Sequence, residues 1–236
     1  MSLPFFYIEH FDASQHSIEL NEDTSRHIVQ VLRMEQGENL NLTDGNGNLF
    51  TTAIEEEHKK HCRVKVIEKK YMAQEQKKIS IGISLIKNSS RFEWFLEKAT
   101  EIGISEIIPL LCERTEKQKF RIDRMKNVLV SAMLQSQQCW LPRLQEPVSF
   151  QTIVKNSPQQ QKFIAHCIDN DKKQLQDLTK NLMDAKIILI GPEGDFTTDE
   201  IGVALHHQFI PVSLGNTRLR TETAGIVAAT LLKLIS

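Results

Sequence analysis

Two short glycine-bearing loops hold the residues best suited to chemistry. The first is Leu189-Ile190-Gly191-Pro192-Glu193-Gly194-Asp195-Phe196. The second runs from Leu214-Gly215-Asn216-Thr217 through Arg218-Leu219-Arg220-Thr221 to Glu222-Thr223-Ala224. Each comes after an apolar run that reads as a β-strand. Ligands of parallel α/β sheets bind outside the carboxyl ends of strands. Glycine there permits close backbone approach, and proline fixes the loop while removing a donor. Such loops can present backbone groups to a flat heterocycle such as adenine; taken alone, the GPEG tetrapeptide serves equally well as a structural turn. Competing motifs are absent. No GxGxxG follows an early strand, which counts against dinucleotide folds and open-sheet methyltransferases. GxxxxGK[ST] and GxSxG are missing too, which disfavours P-loop NTPases and α/β-hydrolases.

The elements that must position these loops alternate. Strands are predicted at 79–86, 107–111, 163–168, 187–190 and 209–214. Helices are predicted at 92–102 (ended by Gly103), 122–138, 175–182, from Thr197 through His206, and at 222–235. Thr197 and Glu200 form a capping box for the fourth of these. Strands separated by helices argue for a mainly parallel sheet covered on both faces. Before residue 72 the pattern differs. Asn39–Leu42 alternates, Asp44-Gly45-Asn46-Gly47 turns, and Leu49–Ile54 resumes as a hairpin. Cys62–Ile67 is another half-buried strand, and Thr24–Met34 places Ile28, Val31 and Leu32 on one helical face. A small β-barrel with one helix therefore fits residues 1–72, a polar linker begins at Met72, and an α/β domain occupies 73–236.

Bulk properties narrow the class. The 236 residues are 40% hydrophobic and 25% charged, as in an ordinary globular protein. No segment approaches the ~20 apolar residues of a membrane span, and the first residues do not read as a secretory signal. A cytoplasmic location is expected. Cys62, Cys112, Cys139 and Cys167 are scattered, which fits reduced thiols. His58, His61 and Cys62 lack a second ligand pair at metal spacing, so no metal is expected. Net charge is -1, but cations cluster locally. Residues 59–70 hold six Lys/Arg against Glu68, and 114–126 hold six against Glu116 and Asp123. Such clusters can hold phosphates or form a solvated face.

Several segments together resemble one family. LIGPEGDF at 189–196, SLGNTRLRTETA at 213–224, FEWFLEKATEIGISEIIP at 92–109, AMLQSQQCWLP at 132–142 and HIVQVLRMEQGE at 27–38 resemble the RsmE family of 16S ribosomal RNA (uracil-N3) methyltransferases, in order and over almost the whole chain. The resemblance implies a PUA-like N-terminal β-barrel for RNA and a C-terminal SPOUT domain with a trefoil knot. It implies S-adenosyl-L-methionine as cofactor and a uridine of the small ribosomal subunit, uracil 1498 in the family, as target. Two departures stand out. Many members have glycine where Asp195 stands, and Glu-Gln-Ser with a following arginine where Leu134-Gln135-Ser136 and Gln138 stand.

On this reading Ile190, Gly191, Pro192, Glu193, Gly194, Leu214, Gly215, Leu219, Thr221 and Ala224 line the cofactor pocket, mostly through backbone groups. The alternative for Leu214 and Ala224 is simple core packing, and Glu193 could hold a ligand hydroxyl or cap its loop. Arg220 is the first candidate to stabilise charge on the uracil ring and Arg114 the second. Glu222 could accept a proton or cap its helix, and Lys98 with Glu101 could be a surface pair. Arg26, His27 and Arg33 of the barrel, with Lys119, Arg121 and Arg124, are candidate RNA contacts. The last helix is apolar on more than one side, and the resemblance implies a homodimer through it. The rivals are a SPOUT methyltransferase acting on another RNA, or on ribose, and a ribosome-assembly factor without catalysis.

Overall fold

The computed structural model describes residues 3–10, 16–116, 119–168, 172–178 and 184–234. The chain forms two compact units, 1–74 with 133–141, and 75–132 with 142–236.

In the first unit β1 (Phe5–Tyr7), β2 (Ser17–Glu19), β3 (Asn39–Thr43), β4 (Asn48–Glu56) and β5 (Arg63–Tyr71) form one sheet in the order β1-β3-β4-β5-β2. Alternation puts Leu40, Leu42, Phe50 and Ile54 into the core. The β3–β4 turn is built by Asp44, whose carboxylate accepts from Asn46 N at 2.8 Å and Asn48 Nδ2 at 2.6 Å. Gly47, at φ 88°, has no room for a side chain: a Cβ would lie 2.5 Å from Trp140 Cζ2. Composition places the segment 133–141 in the second domain, but it packs with the first unit. Leu141 N donates to Gly45 O at 2.9 Å, and Trp140 Nε1 donates to Met72 O at 2.8 Å.

The helix of this unit differs from expectation. Helix α1 (Glu22–Arg26) starts earlier, where Asn21 accepts from Thr24 N and Glu22 and Asp23 suit the positive end of the dipole. It then widens into a π-type turn over His27–Val31. The extra residue per turn rotates the side chains beyond it about the helix axis. Ile28 is buried, whereas Val31 is 65% and Leu32 42% exposed, so the expected three-residue inward face is reduced to one residue.

The second unit runs β6 (Lys78–Ser84), α2 (Ser89–Ile102), β7 (Glu106–Leu111), α3 (Ile122–Gln135), β8 (Arg143–Leu144), β9 (Val148–Ser149), α4 (Phe150–Asn156), β10 (Gln161–Ala165), β11 (Lys173–Gln174), α5 (Leu175–Leu178), β12 (Ala185–Ile190), α6 (Thr198–His206), β13 (Ile210–Ser213) and α7 (Thr221–Leu234). The last residues of α3 fall in the first unit. The sheet is parallel, in the order β11-β13-β10-β12-β6-β7-β8, with β9 also on β7. β6 and β12 are buried nearly throughout, as strands covered on both faces must be. Ile187 and Leu189 pack with Phe150, Val154, Phe196 and Ile201. On the other face Gly225 of α7 meets Phe95 and Ile83, and buried Lys186 donates to Leu232 O at 3.5 Å.

Helix α3 ends three residues before its predicted stop, and Gln137 beyond it turns to φ 55°. The predicted continuation of α5 to Leu182, and Ile235 of the last helix, lie outside the described residues. β8, β9, α4 and β11 are absent from the elements expected from the sequence.

Candidate active site

The carboxyl ends of β10, β12 and β13 lie side by side, with Ala165 in register with both Ile190 and Val212. The three loops after these strands, with the start of α7, enclose a pocket of about 670 Å³. Of the sequence candidates, Ile190, Gly191, Pro192, Glu193, Leu214, Gly215, Leu219, Arg220, Thr221 and Ala224 line it. Gly194 and Arg114 stand outside the lining and are joined to each other: Arg114 Nη1 donates to Gly194 O at 2.6 Å. Arg114 therefore braces the first loop instead of facing the cavity.

Each loop is held from behind. Thr221 Oγ1 donates to Gly191 O at 3.0 Å, tying the start of α7 to the first loop. Glu193 accepts from Lys87 N at 3.2 Å, so its carboxylate caps the segment after β6. Asp195 sits at φ 65°, a conformation that glycine takes freely and aspartate tolerates. Its carboxylate accepts from Cys167 N at 2.8 Å, which links the loops after β12 and β10. Gly215 has φ 135°, and the space where its Cβ would stand is open. Gly191 has a different reason to be glycine. A Cβ there would lie 3.1 Å from Phe196 Cδ2, so the close approach it permits is to Phe196 within the fold.

Arg220 is exposed, and among the described residues its guanidinium makes no hydrogen bond or ion pair; its carbonyl accepts from Ala224 N. Glu222 is buried and lies 3.7 Å from Arg91 of α2. Lys98 bonds Glu97 and Glu101 on the surface of α2.

Sequence reasoning missed one wall of the pocket, the loop after β10 with His166, Cys167 and Lys172. The rule that selects the other two loops applies to this strand as well; the lack of glycine leaves it unmarked. Burial and the Lys172 charge push the His166 pKa down, with Asp195 opposing. Cys167 is exposed, unlike Cys62, Cys112 and Cys139, and burial pushes the Cys112 thiol up to about 12.

The candidate RNA contacts lie elsewhere. Arg26 pairs with Glu22 at 2.9 Å, and His27 meets the Phe6 ring edge-on. Arg33, at φ 55°, lies just beyond Leu32, the C-cap of the π-type turn. Arg124 is held by both oxygens of Glu93 at 2.8 and 2.9 Å. Lys119 and Arg121 are exposed without an ion pair among the described residues, and Lys117 lies outside them.

A ligand pocket at adjacent ends of a parallel sheet, in a chain that also carries a small β unit, defines a class with known members. The model of the RNA methyltransferase domain matches residues 73–233, and that of the RNA methyltransferase PUA domain matches 20–67. Ribosomal RNA small subunit methyltransferase E of Rickettsia conorii is 27% identical over 232 residues, 97% of this chain and 94% of that protein. The crystal structure of a probable rRNA-methyltransferase from Porphyromonas gingivalis is 37% identical at TM-score 0.91, covering 98% of this chain and 99% of the other. A Legionella pneumophila methyltransferase in complex with SAM is 30% identical at TM-score 0.88, covering 99% and 98%. The chain belongs to the RsmE family of RNA methyltransferases.

Proposed function

We propose that the chain transfers a methyl group from S-adenosylmethionine to N3 of a uridine in 16S ribosomal RNA, uracil 1498 in the family. The observation that carries this reading is the pocket at the ends of β10, β12 and β13, with the uncommitted guanidinium of Arg220 in its wall.

The residues fit the cofactor. A volume of about 670 Å³ suits a ligand of this size. Ile190, Leu214, Leu219 and Ala224 offer apolar walls for adenine. Backbone groups of the two glycine loops offer donors and acceptors, and the carboxylates of Glu193 and Asp195 favour a cation. Adenosylmethionine, when bound, supplies an electrophilic methyl group on a sulfonium. The remaining demands, alignment and exclusion of water, fall on the chain. Uracil N3 carries a weakly acidic proton on the Watson–Crick edge, so the base has to enter unpaired or flipped. Losing that proton leaves charge on the ring, and Arg220 donates to the carbonyl oxygen that gains it. Arg114 acts one step back by holding Gly194.

The reading includes a cytoplasmic enzyme with a PUA-like β-barrel over 1–72 and a SPOUT domain over 73–236 closed by a trefoil knot, acting on the small ribosomal subunit. Arg26, His27, Arg33, Lys119 and Arg121 contact RNA. It includes a two-fold dimer through α7. Ala228, Ala229 and Leu232 are fully buried within the subunit, so the dimer draws on half-buried Ile226, Val227 and Leu231.

Nucleoside mass mapping of 16S rRNA from cells with and without the protein tests the reading. N3-methyluridine should be lost without the protein and restored by its gene. Unchanged N3-methyluridine would overturn the assignment, and loss of a different methylated nucleoside would move it to another RNA site.

A further inference from the structure

The pocket wall formed by the loop after β10 carries a polar side chain that the fold does not use. His166 is 6% exposed, and it lines the pocket. Neither Nδ1 nor Nε2 has a hydrogen-bond partner among the described residues. Buried polar atoms left unpaired cost stability, and native proteins keep few of them. Two such atoms on one residue at a pocket wall can be paired by a ligand that enters the pocket.

We infer that His166 is a ligand-binding residue of the pocket, its buried imidazole hydrogen-bonding the nucleoside part of bound adenosylmethionine. The inference rests on the cofactor reading above and deepens it.

Three observations select the nucleoside over the charged amino-acid tail. First, the floor next to His166 is apolar. Ala165, Ile190 and Val212 stand in register across β10, β12 and β13, which suits a flat base better than a zwitterion. Second, the nearby charges are already engaged. Lys172 Nζ donates to His166 O at 2.8 Å, and Asp195 accepts from Cys167 N. The other charged groups lining the cavity are Glu193, Arg218 and Arg220. Third, burial and Lys172 hold the imidazole toward its neutral form against the opposing carboxylate of Asp195. A neutral ring offers one N–H donor and one lone-pair acceptor, and a nucleoside displays both partners. A neutral ring also spares an incoming sulfonium the repulsion that an imidazolium would impose.

The test combines a variant with a direct view of the ring. His166→Leu removes both unpaired nitrogens at similar volume. Without ligand it should melt at the wild-type temperature or above. By calorimetry it should bind adenosylmethionine and adenosylhomocysteine at least tenfold more weakly. A histidine kept only to hold the fold would show the reverse, a lower melting temperature with unchanged affinity, and that result overturns the inference. Nitrogen NMR of histidine-labelled wild-type protein needs no variant that must fold; His166→Asn assigns the signal. At pH 7 one ring nitrogen should be protonated and the other bare, and both should shift on adding adenosine but not methionine. Signals unmoved by saturating adenosine overturn the inference while leaving the cofactor reading intact. A wild-type protein that binds neither adenosylmethionine nor adenosylhomocysteine overturns both.

Discussion

Arg220 and Arg114 are two candidates for one role, and their surroundings separate them. Arg114 is committed to Gly194 O, whereas Arg220 lines the pocket without a carboxylate partner among the described residues. The alternative in which Arg220 merely braces its loop by an ion pair therefore loses its partner; nearby Glu222 stands against Arg91. A donor to a developing oxyanion acts mainly in the transition state. Arg220→Ala and Arg220→Lys should keep cofactor affinity and melting temperature near wild type while slowing single-turnover methylation by roughly 10²-fold. Lysine cannot replace the fork. Intact methylation in a stable Arg220→Ala protein would rule out the catalytic role. Arg114→Ala should instead weaken cofactor binding and rate together, because it releases the loop. Gly191 has a reason to be glycine besides the approach of a ligand. The loop does need glycine there, but a side chain would strike Phe196 first, so Gly191→Val reports on packing before it reports on the ligand.

At the scale of elements, a tight joint that positions the pocket is α7 against α2 and β6. A Cβ on Gly225 would lie 2.6 Å from Phe95 Cε2, 2.9 Å from Phe95 Cδ2 and 3.0 Å from Ile83 Cδ1. The Phe95 ring is fully buried and has nowhere to swing. Gly225→Ala should cost about 1–3 kcal/mol by overpacking, even though alanine is the better helix former. A thermal melt that rises would show that the helix shifts freely. This joint is not legible from sequence, which reads glycine in a helix only as a weak spot. The legible parts are those with strong periodicity or capping chemistry. The continuous apolar runs of β7 and β12 appear within two residues of their expected bounds, β6 stops at Ser84 instead of Ile86, and the Thr197–Glu200 box of α6 forms. Two-residue strands such as β8 and β9 carry no period to detect, and α4 has only seven residues. The π-type turn after α1 escapes because a spacing rule assumes one constant pitch. At the pocket, glycine marks two loops, and the third is invisible because His166 matters through burial and an absent partner, neither of which a sequence displays.

At the scale of the whole molecule, RNA binding has to work against a net charge of -1, so it must come from cations that the fold leaves uncommitted. The sequence shows clusters; the structure removes members from them. In the 59–70 cluster Lys70 lies 2.9 Å from Glu68, and Arg63 lies 3.8 Å from Glu56. In the 114–126 cluster Arg124 donates to Glu93 Oε2 and pairs with its carboxylate, and its pKa is raised by that hydrogen bond and by the carboxylate charge. Lys119, Arg121 and Lys126 remain exposed with no ion pair among the described residues. A cation already paired releases little counterion on meeting a phosphate, because Glu93 brings its own negative charge to the contact. Each phosphate neutralised by an unpaired cation should instead steepen the log–log salt dependence of RNA affinity by roughly 0.7 to 0.9. Replacing Lys119 and Arg121 together with alanine should therefore flatten the slope by about 1.4 to 1.8 if both meet phosphates. Arg124→Ala should leave the slope nearly unchanged. Affinity for a 16S rRNA fragment, measured across a salt series for wild type and both variants, separates the two groups. An unchanged slope in the double variant would assign Lys119 and Arg121 to an ordinary solvated face. An equal loss in Arg124→Ala would show that Glu93 releases its partner when RNA binds.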